Sequence, residues 1–115
     1  MLVCEIFPEE RGHTLREYRG DRQSIGGLSL DKELVFTQTQ FCLKPGDQLY
    51  IATDGVSDIC NPQHKTFGKN RLKDLIRTVA NYTFNQQKYN IERVLSNFQS
   101  TAEQRDDVTL VGLKI

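Results

Sequence analysis

The sequence predicts an α+β fold in which about five β-strands pack with two main helices. Runs rich in β-branched and aromatic residues, bounded by turn residues, recur in the first half and again at the C-terminus. Between them, two segments carry apolar residues three and four positions apart. No repeat, linker or low-complexity tract divides the 115 residues, so we treat residues 1–115 as a single domain.

The first half predicts a hairpin followed by a second strand pair. Residues 2–7 and 14–19 predict the two strands of the hairpin, with a polar turn between them. Residues 20–27 hold three glycines and predict a loop, and residues 34–43 have a β-rich composition. The sequence Lys44-Pro45-Gly46-Asp47 fits a tight turn, so residues 48–53 are predicted to return as the partner strand. The apolar run at 49–52 predicts a central strand that is buried on both faces.

The second half predicts helices and a final strand. A short helical turn is expected after Asp54, ending before Asn61-Pro62. From Lys69 onward, one face of a helix is marked by apolar residues at positions 72, 75, 76, 79 and 80. Residues 81–88 are polar and predict an interruption, after which positions 91, 94, 95 and 98 predict a second helix. Residues 108–115 predict the last strand.

Composition excludes several classes of function. Fifteen basic and fifteen acidic residues cancel and show no basic cluster, so nucleic-acid binding is not expected. The apolar runs are far shorter than the roughly 20 residues of a membrane span, and the N-terminus lacks the features of a signal peptide. We therefore expect no membrane association and a cytoplasmic location. The three cysteines are widely spaced and predict free, buried thiols rather than a disulfide framework or zinc site.

Two acidic motifs carry the functional prediction. Asp54 and Gly55 end a buried strand, and Asp106 opens the last one. A carboxylate that follows a buried strand is held rigidly, and glycine lets another group approach the backbone closely. Oxygen ligands of this kind suit Mg²⁺ or Mn²⁺, so Asp54 and Asp106 are the predicted direct ligands.

Three further residues complete the predicted metal site. Asp58 lies one helical turn beyond Asp54 and is expected to join the site through water or to hold a further ion. Asp107 and Thr109 are expected to support the direct ligands. The alternative is purely structural: Asp54 caps a short helix, Asp58 is solvated, and the pair at 106–107 forms a turn.

Taken in order, three motifs resemble a known family. Thr53-Asp54-Gly55-Val56-Ser57-Asp58, then Phe67-Gly68-Lys69-Asn70-Arg71-Leu72, then Asp106-Asp107-Val108-Thr109-Leu110 resemble the metal-dependent PPM (protein phosphatase type 2C-like) family, in its bacterial SpoIIE-like serine phosphatase branch. The glycine-containing loop with Arg22, Ser24, Gly26 and Gly27 also resembles that branch and is a candidate substrate or partner loop.

The resemblance implies an antiparallel β-sandwich flanked by helices. It implies two Mg²⁺ or Mn²⁺ ions and a metal-activated water that hydrolyses phosphoserine or phosphothreonine. Asp54 and Asp106 match the family's metal-binding aspartates, and Asp58 matches a position associated with an additional metal. Phosphoprotein substrates such as anti-sigma-factor antagonists, and a role in bacterial signal transduction, are also implied.

The early aspartate motifs of the family have no counterpart in this sequence, which resembles only the C-terminal portion of the domain. We therefore expect weak metal binding, little or no phosphatase activity from this chain alone, and self-association through exposed sheet edges. A non-catalytic interaction or oligomerisation module that retains the fold is the alternative function.

Overall fold

The structure is a computed structural model that describes residues 1–9, 12–19, 38–40 and 42–115. Within these ranges the elements, in chain order, are β1 (Leu2–Glu9), β2 (Gly12–Arg19), β3 (Gln48–Ala52), α1 (Asp54–Ser57), α2 (Lys69–Val79), α3 (Phe84–Gln99) and β4 (Leu110–Lys114). The described strands form one antiparallel sheet of four strands in the spatial order β2-β1-β3-β4. Helix α2 packs on β1 and β2, and α3 packs on α2. The predicted α+β class is confirmed.

The predicted hairpin of β1 and β2 is confirmed, and its strands extend further than the sequence indicates. Pairing continues from Leu2 opposite Arg19 to Glu9 opposite Gly12. Strand β3 pairs with β1 only as far as Ile6. Pro8 therefore lies beyond the three-stranded part of the sheet, where the missing N–H of proline is tolerated.

The predicted partner of β3 is wrong. Strand β3 pairs with β1 on one side and with β4 on the other, along its full length on both sides. Of the segment expected to be its partner, residues 38–40, 42 and 43 are not in a strand, and residues 34–37 and 41 lie outside the described residues. The turn itself is as predicted, since the amide of Asp47 donates to the carbonyl of Lys44 at 3.0 Å. The C-terminus is anchored there, because the amide of Ile115 donates to the carbonyl of Asp47 at 3.0 Å.

Helix α2 follows the predicted apolar face, whereas α3 begins earlier than predicted. Leu72, Ile76 and Val79 of α2 are buried against the sheet. Helix α3 starts at Phe84, within the segment that the sequence predicts as an interruption. Thr83 forms a capping box with Gln86, which satisfies free amides at the helix N-terminus. This local stabilisation outweighs the polar composition of the first turns.

The two faces of the sheet differ in burial. Leu2, Cys4, Ile6, Tyr50 and Ala52 face the helices and form the core with them. On the opposite face, paired rows consist of Val3, Ile51 and Val111 and of Glu5, Leu49 and Leu113. Because residues 49 and 51 are only half-buried, the prediction that β3 is buried on both faces is only partly met.

A buried polar network joins β3 to the connection between α2 and α3. The Tyr50 hydroxyl lies 2.5 Å from Gln87 Oε1, and Gln87 Nε2 donates to Gln48 Oε1 at 3.0 Å. Gln48 Nε2 in turn donates to the carbonyl of Ala80 at 2.8 Å. Within the described residues, every buried side-chain nitrogen and oxygen has a partner. The network therefore fixes how α3 sits relative to the sheet.

Among the helices described, none is long and apolar enough to cross a membrane. The three cysteines are free, as predicted. Cys4 and Cys60 are buried, whereas Cys42 is exposed, so the prediction of buried thiols is wrong for Cys42.

Replacing Ile76 with alanine should destabilise the domain. Ile76 has 0% exposure and packs in the centre of the core, so the lost contacts and the cavity should lower the free energy of unfolding by about 2 to 5 kcal/mol. Urea denaturation followed by circular dichroism measures the change. Asn70→Ala, on the exposed side of the same helix, is the control and should change the stability by less than about 0.5 kcal/mol. Equal effects of the two substitutions would contradict the assigned core.

Stability should also fall at high pH because of Tyr50. Burial raises the pKa of Tyr50 from 10.0 to about 12, with the hydrogen bond to Gln87 acting in the opposite direction. Since the folded state holds the phenolic proton more tightly, the stabilisation is complete below pH 10 and is lost as the pH rises toward 12. Between these limits the free energy of unfolding should fall by about 2 kcal/mol on account of Tyr50.

Tyr50→Phe provides the comparison for this pH dependence. Burial also raises the pKa of Cys4, to about 11, which adds a fall of the same sign in both proteins. The difference between the two urea titrations across the pH range therefore isolates Tyr50. Identical pH profiles for the original chain and Tyr50→Phe would contradict the buried phenol.

Candidate functional site

The first acidic motif lies at the end of β3. Thr53 is the N-cap residue of α1, with extended backbone angles, and the amide of Asp58 closes the turn on the carbonyl of Asp54 at 2.9 Å. Gly55, Val56 and Ser57 are buried, whereas Asp54 and Asp58 are exposed. The inner side of the short helix is therefore buried, and both carboxylates are exposed to solvent. It ends at Ser57, within the segment that the sequence predicts as a helical turn.

Phe67 and Gly68, from the second of the three sequence motifs, form hydrogen bonds with the end of this helix and the residues just after it. The amide of Gly68 donates to the carbonyl of Ser57 at 2.9 Å, and the amide of Phe67 donates to the carbonyl of Ile59 at 2.7 Å. Gly68 has a φ of 86°, a conformation that favours glycine. The chain can thus turn directly from this contact into α2.

The structure brings the second acidic motif against the first. The amide of Thr53 donates to the carbonyl of Thr109 at 3.0 Å, and the amide of Thr109 donates to the Thr53 hydroxyl at 3.2 Å. These bonds continue the pairing of β3 and β4 up to the two motifs. Thr109 is therefore held against Thr53, the residue directly before Asp54. Sequence reasoning assigned no role to Thr53, although a hydroxyl residue directly before the aspartate was the available signal.

A very close backbone contact joins Gly55 to Asp107. A Cβ atom built on Gly55 would lie 1.8 Å from the carbonyl oxygen of Asp107, which no side chain can tolerate. This is the close approach that a glycine after the first aspartate permits. The acidic segment before β4 is consequently held directly against the start of α1.

Asp54 is exposed and already has a partner. Its side chain is 63% exposed, and its carboxylate accepts a hydrogen bond from the amino terminus of Met1. The hydrogen bond and the positive charge of that amino group lower the pKa of Asp54, with a smaller contribution from Lys69. The carboxylate is therefore ionised at neutral pH and stands next to a positive charge.

Asp58 and Asp106 share a small crevice between α1 and the segment that follows α3. The crevice has a volume of about 10 Å³, and Asp54 is not among the residues that line it. Asp106 Oδ1 accepts from the amide of Asp107 at 2.7 Å, and Gln104 Nε2 donates to the carbonyl of Asp106 at 3.0 Å. A space of this size holds about one water molecule.

The described residues do not by themselves form a complete metal site. Among them, no group of three or more histidine, cysteine, aspartate or glutamate side chains is placed so that it could hold an ion. Carboxylates are the right ligand type for Mg²⁺ or Mn²⁺, but these ions take about six ligands in all. The residues present thus do not fit a full two-metal centre, and the roles of Asp54, Asp58 and Asp106 as ligands stay predictions. The candidate loop with Arg22, Ser24, Gly26 and Gly27 lies outside the described residues.

Replacing Gly55 with alanine should separate the two motifs. Alanine favours helices by about 1 kcal/mol over glycine, but here its Cβ would overlap the Asp107 carbonyl. We expect the clash to prevail and to lower the free energy of unfolding by about 1 to 3 kcal/mol. Chemical denaturation measures this change in the free energy of unfolding. Thr78→Ala on the exposed side of α2 is the control, and a stabilised Gly55→Ala variant would contradict the contact.

Within solved structures, the chain matches the SiaA-PP2C domain of Pseudomonas aeruginosa with a TM-score of 0.80 at 24% sequence identity. The match covers 99% of this chain and 42% of that chain, and at this identity it establishes the fold alone. A search of curated proteins found no match.

A family model accounts for almost all of the sequence. The model described as Stage II sporulation protein E (SpoIIE) matches residues 11–115, which include both acidic motifs and the glycine-containing loop. The chain therefore belongs to the SpoIIE family of PPM-type phosphatase domains.

Proposed function

We propose that this domain contributes Asp54 and Asp106 to the active site of a Mg²⁺- or Mn²⁺-dependent protein serine/threonine phosphatase. The observation that carries the proposal is the contact of the Asp107 carbonyl with Gly55, which holds the two acidic motifs at one corner of the sheet. Membership in the SpoIIE family supports the same reaction class. When bound, a pair of such ions supplies a nucleophilic water and offsets charge on the phosphoryl group.

The residues of this chain have distinct roles in the proposal. Asp54 and Asp106 present oxygen ligands, and Asp58 serves an additional, more weakly held ion. Thr53 and Thr109 fix the ends of β3 and β4 relative to each other through their two hydrogen bonds. Ordered positions matter because a ligand displaced by 1 Å is no longer in coordination range.

The proposed substrate is a protein that carries phosphoserine or phosphothreonine, of the kind represented by phosphorylated anti-sigma-factor antagonists in bacterial signalling. The family resemblance supports this substrate class. The described residues contribute an acidic corner rather than a basic phosphate-binding patch. Ions bound at the completed site would supply the positive charge that offsets the phosphoryl group.

The chain alone is proposed to have little or no activity. Its described carboxylates do not reach the three-ligand cluster that a tightly held ion needs. Further ligands from outside the described residues complete the site in this proposal. The chain spans 42% of the SiaA-PP2C structure that it matches, so the activity of a whole phosphatase is part of the proposal.

A non-catalytic interaction module is the second candidate function. It is favoured by the exposure of Asp54 and Asp58, which leaves both carboxylates accessible to the surface of a protein partner. In this function the acidic corner contacts a protein partner. Substitution of Asp54 or Asp106 would then leave metal binding unchanged.

Calorimetric titration of the full chain with Mn²⁺ distinguishes the two functions. The phosphatase proposal expects weak binding that Asp54→Asn or Asp106→Asn reduces at least about tenfold, because each change removes a charged ligand. Asp74→Asn is the matched control, since Asp74 is an exposed carboxylate on α2 that pairs with Arg77 at 2.9 Å. Binding that all three variants leave unchanged would contradict the metal-ligand roles.

Turnover of p-nitrophenyl phosphate by the purified chain in Mn²⁺ tests the proposed inactivity. We expect no rate above the buffer blank. Mn²⁺-dependent turnover that Asp54→Ala abolishes would overturn the inactivity while supporting Asp54 as a ligand. The Mn²⁺ titration therefore tests the ligand roles, and the turnover assay separately tests the inactivity of the chain.

A further inference from the structure

Residues 59–68 form a closed loop that returns to the end of α1. The amide of Phe67 donates to the carbonyl of Ile59 at 2.7 Å, and the amide of Gly68 donates to the carbonyl of the last residue of α1 at 2.9 Å. An isolated antiparallel bridge also joins the two sides of the loop. Because Ile59 directly follows Asp58, whatever holds Phe67 in place also determines where Asp58 lies.

The ring of Phe67 packs against the ring of Phe98, in the last turn of α3. The two ring centroids lie 5.1 Å apart and the ring planes meet at 76°. This is the edge-to-face arrangement that aromatic pairs favour. Phe67 is buried, and Phe98 is half-buried against the same core. The pair therefore joins the loop that follows Asp58 to the C-terminal end of α3.

Phe98 also lies next to the start of the segment that carries the second acidic motif. Helix α3 ends at Gln99, and the amide of Ala102 donates to the carbonyl of Gln99 at 2.9 Å, so the chain turns at once. Gln99, Asp106 and Asp58 all line the same crevice. Phe98 therefore contacts the loop beside one carboxylate and directly precedes the segment that leads to the other.

Arg71, in the first turn of α2, contacts the same ring. Its guanidinium carbon lies 5.2 Å from the centroid of Phe98, within the roughly 6 Å of a cation–π contact. Arg71 is exposed, and it forms no ion pair with the carboxylates of the described residues. The loop, the start of α2 and the end of α3 therefore meet at the ring of Phe98.

We propose that Phe98 and Arg71 are positioning residues that set the distance between Asp58 and Asp106. The glycine contact at the start of α1 holds one end of that helix against the second acidic motif. The aromatic contact acts on the residues that follow the other end of α1, so it is a second and separate constraint. The proposal rests on the proposed function only for the metal that these carboxylates hold; the positioning itself needs no metal.

Amide hydrogen exchange of the metal-free chain, followed by nuclear magnetic resonance, tests the positioning. Phe98→Leu keeps an apolar side chain but removes the ring, and Arg71→Gln removes the cation. Phe98→Leu should speed the exchange of the amides of Asp58, Gly68 and Ala102 about fivefold, the factor that corresponds to loss of one aromatic contact. Arg71→Gln should speed the same three amides by a smaller factor, because the cation–π contact lies at the surface.

Two further variants separate positioning from general stability. Phe98→Tyr retains the ring and should keep the exchange rates of the original chain. Val79→Ala removes buried methyl groups at the opposite end of α2, so it should lower the stability but leave the three exchange rates unchanged. Original rates in Phe98→Leu, or an equal acceleration in Val79→Ala, would overturn the proposal.

Calorimetric titration of the same variants with Mn²⁺ distinguishes this proposal from the proposed function. Phe98→Leu should weaken Mn²⁺ binding about tenfold, the lower end of the loss seen for residues that orient metal ligands. Phe98→Tyr and Val79→Ala should leave it unchanged. If the original chain binds no Mn²⁺, the proposed metal site is wrong, and the exchange rates still decide the positioning. If Phe98→Leu binds Mn²⁺ as tightly as the original chain, the positioning role is contradicted.

Discussion

The contact between the Asp107 carbonyl and Gly55 is the constraint on which the functional corner depends. Two segments more than 50 residues apart in the sequence meet there, and their carbonyl and backbone leave no room for a side chain. The bonds between Thr53 and Thr109 align the strand ends just before this contact. Because β3 is an inner strand of the described sheet and β4 follows it along its whole length, the sheet itself positions the acidic corner.

The local features of the fold were predictable because short-range forces decide them. Residues close together in sequence determine the apolar face of α2, the hairpin of β1 and β2, and the turn at Lys44. The partner of β3 could not be predicted, because strand pairing joins segments that are distant in sequence. The C-terminal strand takes the place expected for residues 34–43. The start of α3 was missed because its polar first turns are stabilised by a capping box and by the buried Gln87 network.

In the candidate site, too, some features could be predicted from the sequence and others could not. The types of the acidic residues and their position at strand ends could be predicted, and glycine correctly indicated a close backbone approach. The pairing of Asp54 with the amino terminus could not, because it joins residues far apart in sequence. Nor does the sequence show that Asp58 and Asp106 share a crevice that Asp54 does not line. A motif thus predicts which types of ligand a segment supplies, but not how many of them converge.

The most direct test of the account follows the backbone amide signals of the chain by nuclear magnetic resonance during titration with paramagnetic Mn²⁺. If one corner binds the ion, the amides of Gly55 and Asp107 should broaden together at the same Mn²⁺ concentration, while the amide of Asp74 on α2 stays sharp. If the amides of Gly55 and Asp107 stay sharp, or if Asp74 broadens equally, the ion does not bind at this corner and the account is contradicted.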